Sequence, residues 1–395
     1  MGIYLDFNAT TPLDPRVLEG MLPFLSANQG NPSSPGQSGR IAKAAIEQAR
    51  EQVAALVSAH PSQVIFTAGG SEANNLALKG CILEKGLKRV VFSAIEHPSV
   101  RRTLESIKEF LRELNPVSDF ELTRLPVASD GRIDVQNFQE LAKTARPELV
   151  TVMLVNNETG AFQDIAGLTH CGVDSIYHTD AVQAAGKMAI NFADLGVDLL
   201  TLSAHKIYGP KGVGALVVDK RLALQPLIHG GGQEKGMRSG TENVAGIVGF
   251  GLAAELALNE LDDRRRHMAE LRDVLERGLT SLAESLSGRA NIRIFSQAAK
   301  RIPNTSFFGI EGIDGEALVL ELDRAGIEIA SGSACSSMSG KPSEVLLAMG
   351  VSEEFARTAI RVSVGKDTTR EEVTQFLAQL QQQVERLKNF DVLMS

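Results

Sequence analysis

The sequence has few cysteines, no run of basic residues and no long apolar run. Its 395 residues include three cysteines, none in a Cys-x-x-Cys pair, which is typical of a reducing compartment and argues against a zinc site. The net charge of -8, without a basic stripe, argues against a nucleic-acid partner. Apolar runs such as residues 149–155 are far shorter than a membrane span, and the N-terminus lacks the regions of a secretion signal. We therefore expect a cytoplasmic protein without a metal, nucleic-acid or membrane partner.

The remaining composition is that of a globular enzyme, and the chain is long enough for two domains. Short apolar runs alternate with stretches of helical periodicity between residues 64 and 219, which predicts an α/β fold with a mostly parallel, seven-stranded sheet. One long helix is predicted from residue 243 to residue 286, and we place the domain boundary within it. The predicted large domain covers residues 15–260, and a smaller α+β domain combines residues 1–14 with residues 261–395.

Polar residues follow four predicted strands, at the end of the sheet where α/β enzymes bind their ligands. Lys206 lies between a buried strand and a glycine-rich turn, where a desolvated amine can form a Schiff base with an aldehyde. Taken alone, it also fits a surface lysine in a turn. Asp180 and Gln183 also fit a helix capping box, and His97 alone also fits a structural role. The convergence of all four strand ends favours a functional site.

Two loops carry groups that can bind a ligand or react with one. Gly69-Gly70-Ser71 joins a predicted strand directly to a helix, so its N–H groups can bind an anion, although an ordinary helix cap has the same pattern. The loop from Ser331 to Pro342 is small and polar, which leaves Cys335 few apolar neighbours and suggests an exposed, reactive thiol. Cys81 and Cys171 are interpreted as structural residues.

Six segments, met in order along nearly the whole chain, carry a resemblance to a known family: Glu96-His97, Asn156-Asn157-Glu158-Thr159-Gly160, His178-Thr179-Asp180-Ala181-Val182-Gln183, Ser203-Ala204-His205-Lys206, Arg238-Ser239-Gly240-Thr241 and Ser333-Ala334-Cys335. Together they resemble the NifS/IscS-like cysteine desulfurases, in the class-V aminotransferase branch of fold-type I enzymes that use pyridoxal 5'-phosphate. The chain differs from many of these relatives at Gly36, where they carry a histidine.

The resemblance implies a role for each matching residue. Lys206 would hold the cofactor and move the Cα proton, and Asp180 would face the pyridine nitrogen. Gln183 would bind the phenolic oxygen of the cofactor, and His97 would stack on its ring. The predicted phosphate contacts are Gly70, Ser71, Ser203, His205 and, from the second subunit of a homodimer, Thr241.

The resemblance also implies how the substrate binds and reacts. Asn157 and Arg361 would bind the carboxylate of L-cysteine. Cys335 would accept the sulfur as a persulfide, leaving L-alanine, and would pass it to an acceptor such as an iron-sulfur scaffold protein or a thiolation pathway. A C-S lyase acting on cysteine or cystine, and a selenocysteine lyase, stay open as alternatives.

Overall fold

The computed structural model describes residues 2–286, 291–332 and 341–394. The strands are β1 (Ile3–Tyr4), β2 (Val64–Thr67), β3 (Arg89–Ser93), β4 (Glu121–Leu125), β5 (Leu149–Thr151), β6 (Ile176–Asp180), β7 (Leu199–Ser203), β8 (Gly214–Val218), β9 (Ile292–Ile294), β10 (Thr305–Ile310), β11 (Ile327–Glu328), β12 (Ala330–Ser331) and β13 (Ala359–Ser363). The helices are α1 (Pro15–Ser26), α2 (Gln37–Leu56), α3 (Gly70–Lys85), α4 (Pro98–Leu114), α5 (Val135–Ala145), α6 (Ile165–Thr169), α7 (Phe192–Leu195), α8 (Val244–Asn259), α9 (Leu261–Ser285), α10 (Gly315–Arg324), α11 (Glu344–Ala348), α12 (Glu353–Ala356) and α13 (Arg370–Met394).

A seven-stranded sheet in the order β2-β8-β7-β6-β5-β3-β4 forms the centre of the protein. Strands β3 to β7 are parallel to one another, whereas β8 runs antiparallel to both of its neighbours, β2 and β7. Except for β4 at the edge, the strands are largely apolar and buried, as is usual for parallel sheets whose two faces are covered by helices. The predicted α/β fold with a mostly parallel sheet is confirmed, and the carboxyl ends of its parallel strands meet at one edge.

A second, antiparallel sheet in the order β12-β13-β10-β9 has its own apolar core. Leu271 and Leu275 of α9 and Phe376 of α13 are buried in this core. The N-terminal arm adds to this part of the chain, because β1 pairs in parallel with β11. The domain bounds at residues 15–260 stay a prediction.

The prediction of one helix over residues 243–286 is wrong, because α8 and α9 are separate helices that meet at 72°. The two helices belong to different cores. Phe250 of α8 is buried against the central sheet, whereas Leu275 of α9 is buried against the second sheet. Among the described residues no single helix is long and apolar enough to cross a membrane; α8 and α9 reach that length and composition only together, across their bend.

Two predicted strands are shorter in the structure. The strand predicted over residues 149–155 ends as β5 at Thr151, although the backbone N–H groups of Val152 and Leu154 still donate to carbonyls of residues 178 and 180. The strand predicted over residues 327–330 is divided into β11 and β12, which join different sheets. In both places the local pattern indicates extended backbone, while the neighbouring strand decides how far the pairing runs.

Candidate active site

One cavity of about 320 Å³ lies where the parallel strands of the central sheet end. The predicted site residues that line it are Gly70, Ser71, His97, Asn157, Asp180, Gln183, Ser203, His205, Lys206 and Arg361. Its other lining residues are Asn8, Ala9, Asn74, Ser99, Met153 and Val182. The structure therefore brings ten predicted residues together, from segments spread over almost 300 positions of the chain.

One end of the cavity is suited to an anion. Helix α3 begins at Gly70, and no side chain caps its first N–H groups. Gly69 before it has a φ of 152°, in the range that favours glycine. A Cβ atom at Gly70 would lie 3.0 Å from Val182 Cγ2, so a side chain there would crowd the cavity wall. Free N–H groups at the positive end of a 16-residue helix attract phosphate or carboxylate groups.

Ser203 lies beside Gly70, where an added Cβ atom would be 3.5 Å from Ser203 Cβ, and His205 lines the same cavity. Ser203 is the last residue of β7, and His205 belongs to the short 3-10 turn that follows. Burial lowers the pKa of His205 to about 4, with smaller contributions from Lys206 and Lys211, so the ring is neutral at pH 7. Its Nδ1 lies 3.1 Å from Thr10 Oγ1. The cavity lining thus combines a helix N-terminus, a hydroxyl and a neutral imidazole.

Asp180 is the carboxylate of the cavity and lies at the end of β6. Its Oδ1 accepts a hydrogen bond from the backbone N–H of Val182 (3.0 Å), and its Oδ2 accepts one from Asn74 Nδ2 (2.8 Å). The residues after Asp180 form turns, and Gln183 donates to the backbone carbonyl of Asn8 at 2.9 Å. The alternative interpretation of Asp180 and Gln183 as a helix capping box is therefore wrong.

Lys206 contacts the N-terminal arm. Its Nζ donates to the backbone carbonyls of Asn8 (2.5 Å) and Ala9 (2.6 Å). The Asn8 carbonyl also accepts the hydrogen bond from Gln183, so it joins two predicted cofactor contacts. Sequence reasoning missed Asn8, because the arm carries no helical or strand periodicity beyond β1 and meets Lys206 only across 198 positions.

A second lysine, Lys187, is buried behind the cavity. Its Nζ donates to Gln183 Oε1 (2.7 Å) and Asn8 Oδ1 (3.1 Å), and burial holds its pKa well below the usual value. The oxygen of the Gln183 amide is thereby held on the lysine side, and its nitrogen faces Asn8. No motif pointed to Lys187, since a lysine seven residues after the end of β6 normally faces solvent.

Arg361 of β13 forms the cationic side of the cavity. Its Nη2 pairs with Asp6 Oδ1 at 2.6 Å, and its Nη1 donates to the backbone carbonyl of Asn157 at 3.0 Å. Its Nε is buried without a hydrogen-bond partner among the described residues. A guanidinium with an unused N–H group is suited to bind a carboxylate.

Two predicted site residues lie elsewhere. Thr241 is exposed and does not line this cavity, and its predicted contact is with the cofactor of a second subunit. The loop before it is held by Glu234, whose carboxylate binds Arg50 (2.8 Å) and the backbone N–H of Phe66 (2.8 Å). Cys335 lies outside the described residues, between Gly332 and Lys341.

Glu96, next to His97, is buried and accepts a hydrogen bond from the backbone N–H of Met153 at 2.7 Å. Burial raises the pKa of Glu96 to about 8, so the folded protein keeps a proton that the unfolded chain releases near pH 4.5. This group therefore destabilises the fold progressively as pH rises from about 4.5 to 8, by about 1.4 kcal/mol per pH unit.

We expect Glu96→Gln to remove this loss of stability. The amide oxygen can still accept the hydrogen bond from the Met153 N–H, and the amide does not ionise. The advantage of the variant in unfolding temperature should grow between pH 5 and pH 8 and then level off. Thermal unfolding of both proteins across this range measures it. A difference that stays constant with pH would show that Glu96 is ionised in the folded protein.

The residues of the cavity fit pyridoxal 5'-phosphate by their chemistry. The uncapped start of α3 with Ser203 and His205 suits a phosphate, the Asp180 carboxylate suits a pyridine nitrogen, and the Lys206 amine suits an aldehyde. Arg361 provides a cation that can bind the carboxylate of an amino acid.

Comparisons with known proteins agree with this chemistry. The sequence profile of the aminotransferase class-V family matches residues 3–376. A cysteine desulfurase IscS from Dictyoglomus turgidum is 42% identical over 393 residues, covering 98% of this chain and 95% of its own. The solved structure of a NifS-like protein from Rickettsia africae has a TM-score of 0.82 at 33% identity, covering 97% and 99% of the two chains. A structure described as SspA in complex with cysteine is 34% identical with a TM-score of 0.77, covering 93% of this chain and 100% of its own.

Proposed function

The chain belongs to the aminotransferase class-V family and is a pyridoxal-phosphate-dependent cysteine desulfurase, and from this premise we propose how its residues convert L-cysteine to L-alanine. The observation that carries the proposal is the single cavity that holds Lys206, Asp180, His97 and Arg361 together. In this arrangement a basic amine, an anion, an imidazole and a guanidinium all face one small space.

The cavity residues divide the binding of the cofactor among them. Lys206 would hold it covalently through Nζ, and Asp180 would pair with its pyridine nitrogen. Gln183, oriented by Lys187, donates to its phenolic oxygen. Gly70, Ser71, Ser203 and His205 surround its phosphate. When bound, pyridoxal phosphate supplies an electron sink that makes the substrate Cα acidic.

The substrate is held by its carboxylate and reacts at Cα. Arg361 binds the carboxylate through the guanidinium that Asp6 orients, and Asn157 adds a side-chain contact. Lys206 Nζ, freed when the amine of the substrate takes its place, would remove the Cα proton and later return a proton, and His97 would lie against the cofactor.

In the proposed reaction the sulfur of the substrate is transferred to Cys335. The Cys335 thiolate attacks the substrate sulfur, the substrate C–S bond breaks, and protonation of its Cβ completes L-alanine. The reaction consumes one L-cysteine and one Cys335 thiol, and it forms one L-alanine and one persulfide. The persulfide is passed to an acceptor, for which an iron-sulfur scaffold protein is the proposed class. A homodimer with Thr241 completing the partner's site, and a cytoplasmic location, are part of the proposal.

Product analysis tests this function. The purified protein, loaded with pyridoxal phosphate, is incubated with L-cysteine and a thiol reductant, and alanine, sulfide, pyruvate and ammonia are measured. We expect alanine and sulfide in equal amounts without pyruvate. Equal amounts of pyruvate, ammonia and sulfide would instead establish the C-S lyase alternative. A parallel assay with selenocysteine compares kcat/KM for the two substrates and tests the selenocysteine lyase alternative.

A further inference from the structure

A residue close to Lys206 has a strained backbone. Tyr208 lies two positions after Lys206 and has a φ of 70°, in the left-handed region. Five other non-glycine residues of the described chain have a positive φ, and none of them is aromatic. A bulky side chain is rare in this region, because its Cβ atom crowds the backbone. Such a conformation persists only where surrounding contacts hold it, and it is common at functional sites.

The left-handed residue reverses the chain directly after Lys206. The 3-10 turn Ala204–Lys206 follows β7, and the backbone N–H of Gly209 donates back to the Ala204 carbonyl at 3.0 Å. The two segments are tightly packed, since a Cβ atom at Gly209 would lie 2.9 Å from both the Cβ and the carbonyl oxygen of Ala204. The backbone of Tyr208 therefore helps to set the direction in which Lys206 enters the cavity.

The hydrogen bonds of Tyr208 come from segments outside the central sheet. Its backbone N–H donates to Thr11 Oγ1 at 2.7 Å, and its carbonyl accepts from the backbone N–H of Asp14 at 3.0 Å. Its hydroxyl oxygen accepts the backbone N–H of Lys366 at 2.7 Å. Tyr208 is buried, with 7% of its surface exposed. The N-terminal arm thus holds its backbone, and the segment after β13 holds its side chain.

Two cations lie over the ring of Tyr208. Lys366 Nζ is 5.1 Å from the ring centroid, and Arg264 Cζ is also 5.1 Å from it. Lys366 Nζ pairs with Asp14 Oδ2 at 2.9 Å. Arg264 Nη2 pairs with Glu260 Oε2 at 2.7 Å, so a carboxylate fixes each cation. The attraction between the cations and the ring holds the ring in place. A glycine would adopt the same φ without strain but would make none of these side-chain contacts.

These contacts connect the two groups that act on one substrate in the proposed function. Lys206 follows β7 of the central sheet, whereas Arg361 belongs to β13 of the second sheet. Lys366 lies three residues after the end of β13, so its hydrogen bond to Tyr208 joins that end to the turn of Lys206. Removal of the Cα proton requires the amine to keep a fixed position relative to the bound carboxylate.

We propose that Tyr208 is a positioning residue that holds the turn of Lys206 at a fixed place relative to Arg361. This inference rests on the proposed function, and Tyr208 itself does not touch the substrate. The left-handed backbone places Lys206, and the side chain ties that backbone to the end of β13. Loss of the side chain therefore leaves the amine less precisely placed.

Visible circular dichroism of the cofactor-loaded enzyme measures the placement of the lysine-bound cofactor without turnover. Tyr208→Gly removes the ring while the left-handed backbone stays accessible, and Tyr208→Phe removes only the oxygen that accepts from Lys366. A less fixed lysine averages over several orientations. We therefore expect the visible dichroism per bound cofactor to decrease in Tyr208→Phe and to decrease further in Tyr208→Gly.

Kinetics with L-cysteine should follow the same order. A displacement of about 1 Å can lower a rate about 100-fold, so we expect kcat to fall about 10- to 100-fold in Tyr208→Gly and about 3- to 10-fold in Tyr208→Phe. KM should change less than about 3-fold, since Arg361 is unchanged.

Tyr177→Phe is the matched control. Tyr177 is also a buried tyrosine next to the central core, and its hydroxyl donates to the Val173 carbonyl at 2.9 Å, within the large sheet region. This variant loses one buried hydroxyl without losing a contact to the end of β13. It should keep the wild-type dichroism and kcat.

A merely structural role for Tyr208 predicts a lower unfolding temperature with unchanged dichroism and an unchanged kcat per bound cofactor, and that result would overturn the proposal. Equal losses in Tyr208→Phe and Tyr177→Phe would overturn it too. If Tyr208→Gly does not fold, the comparison of Tyr208→Phe with Tyr177→Phe still decides the question. Pyruvate from L-cysteine would refute the desulfurase reaction, whereas the dichroism, measured without turnover, would still decide whether Tyr208 places Lys206.

Discussion

Replacing Lys206 by alanine is expected to reduce alanine formation from L-cysteine by about 10⁴-fold or more, because this change removes both the covalent holder of the cofactor and the base for the Cα proton. The variant should still bind pyridoxal phosphate, since the start of α3 and Asp180 are unchanged. Its visible absorption should change from that of a cofactor joined to lysine to that of the free aldehyde. Absorption spectra and product assays on the same samples measure the two effects.

Lys211 provides the matched control for this change. It lies five residues further in the same glycine-rich segment and is exposed, so Lys211→Ala should keep its activity within about two-fold and retain the wild-type spectrum. Lys187 is the competing candidate for the lysine that holds the cofactor, because it is the buried amine hydrogen-bonded to Gln183. Lys187→Ala tests this assignment. Loss of the lysine-bound spectrum in Lys187→Ala but not in Lys206→Ala would transfer the role to Lys187.

Cys335→Ala is expected to decrease the alanine yield at least about 100-fold while leaving the lysine-bound spectrum intact, because sulfur removal needs a thiolate nucleophile and cofactor binding does not. After one turnover without reductant, wild-type protein should carry one additional sulfur atom on the peptide that contains Cys335. Peptide mass spectrometry detects this atom directly, and the product assay supplies the rate.

Cys171→Ala is the control for the thiol. Cys171 is partly exposed, and its Sγ lies 3.0 Å from the Leu168 carbonyl. Cys81 is less suitable, since it is fully buried and burial raises the pKa of its thiol to about 11. We expect Cys171→Ala to make alanine at the wild-type rate. Pyruvate from both the wild type and Cys335→Ala, at similar rates, would mean that Cys335 takes no part and that the enzyme is a lyase.

The features that were predicted correctly are those whose conformation depends on residues close by in the sequence. Strand β2 spans the apolar run from Val64 to Thr67, and α3 begins at Gly70 directly after it, as the Gly69-Gly70-Ser71 pattern predicts. Apolar runs and glycine turns act within a few residues, so the sequence displays them directly.

The errors and omissions arose where the conformation depends on segments far apart in the sequence. Residues 243–286 have continuous helical periodicity, yet the chain bends between α8 and α9 because each helix belongs to a different core. Asn8 lies in an arm without periodicity and contacts Lys206 across 198 positions. Lys187 is buried although its sequence neighbours give no reason for a buried lysine.

The sequence by itself determined the α/β class and proposed the chemical identity of the site, because strand ends and their polar residues are local features and six such segments occur in family order. Tertiary structure alone decided how those residues act on one another: that Asp6 holds Arg361, that Lys187 orients Gln183, and that Asn74 donates to Asp180. The physical reason is that a hydrogen bond requires its two groups within about 3 Å. For residues tens or hundreds of positions apart, only the packing of the whole chain provides that distance.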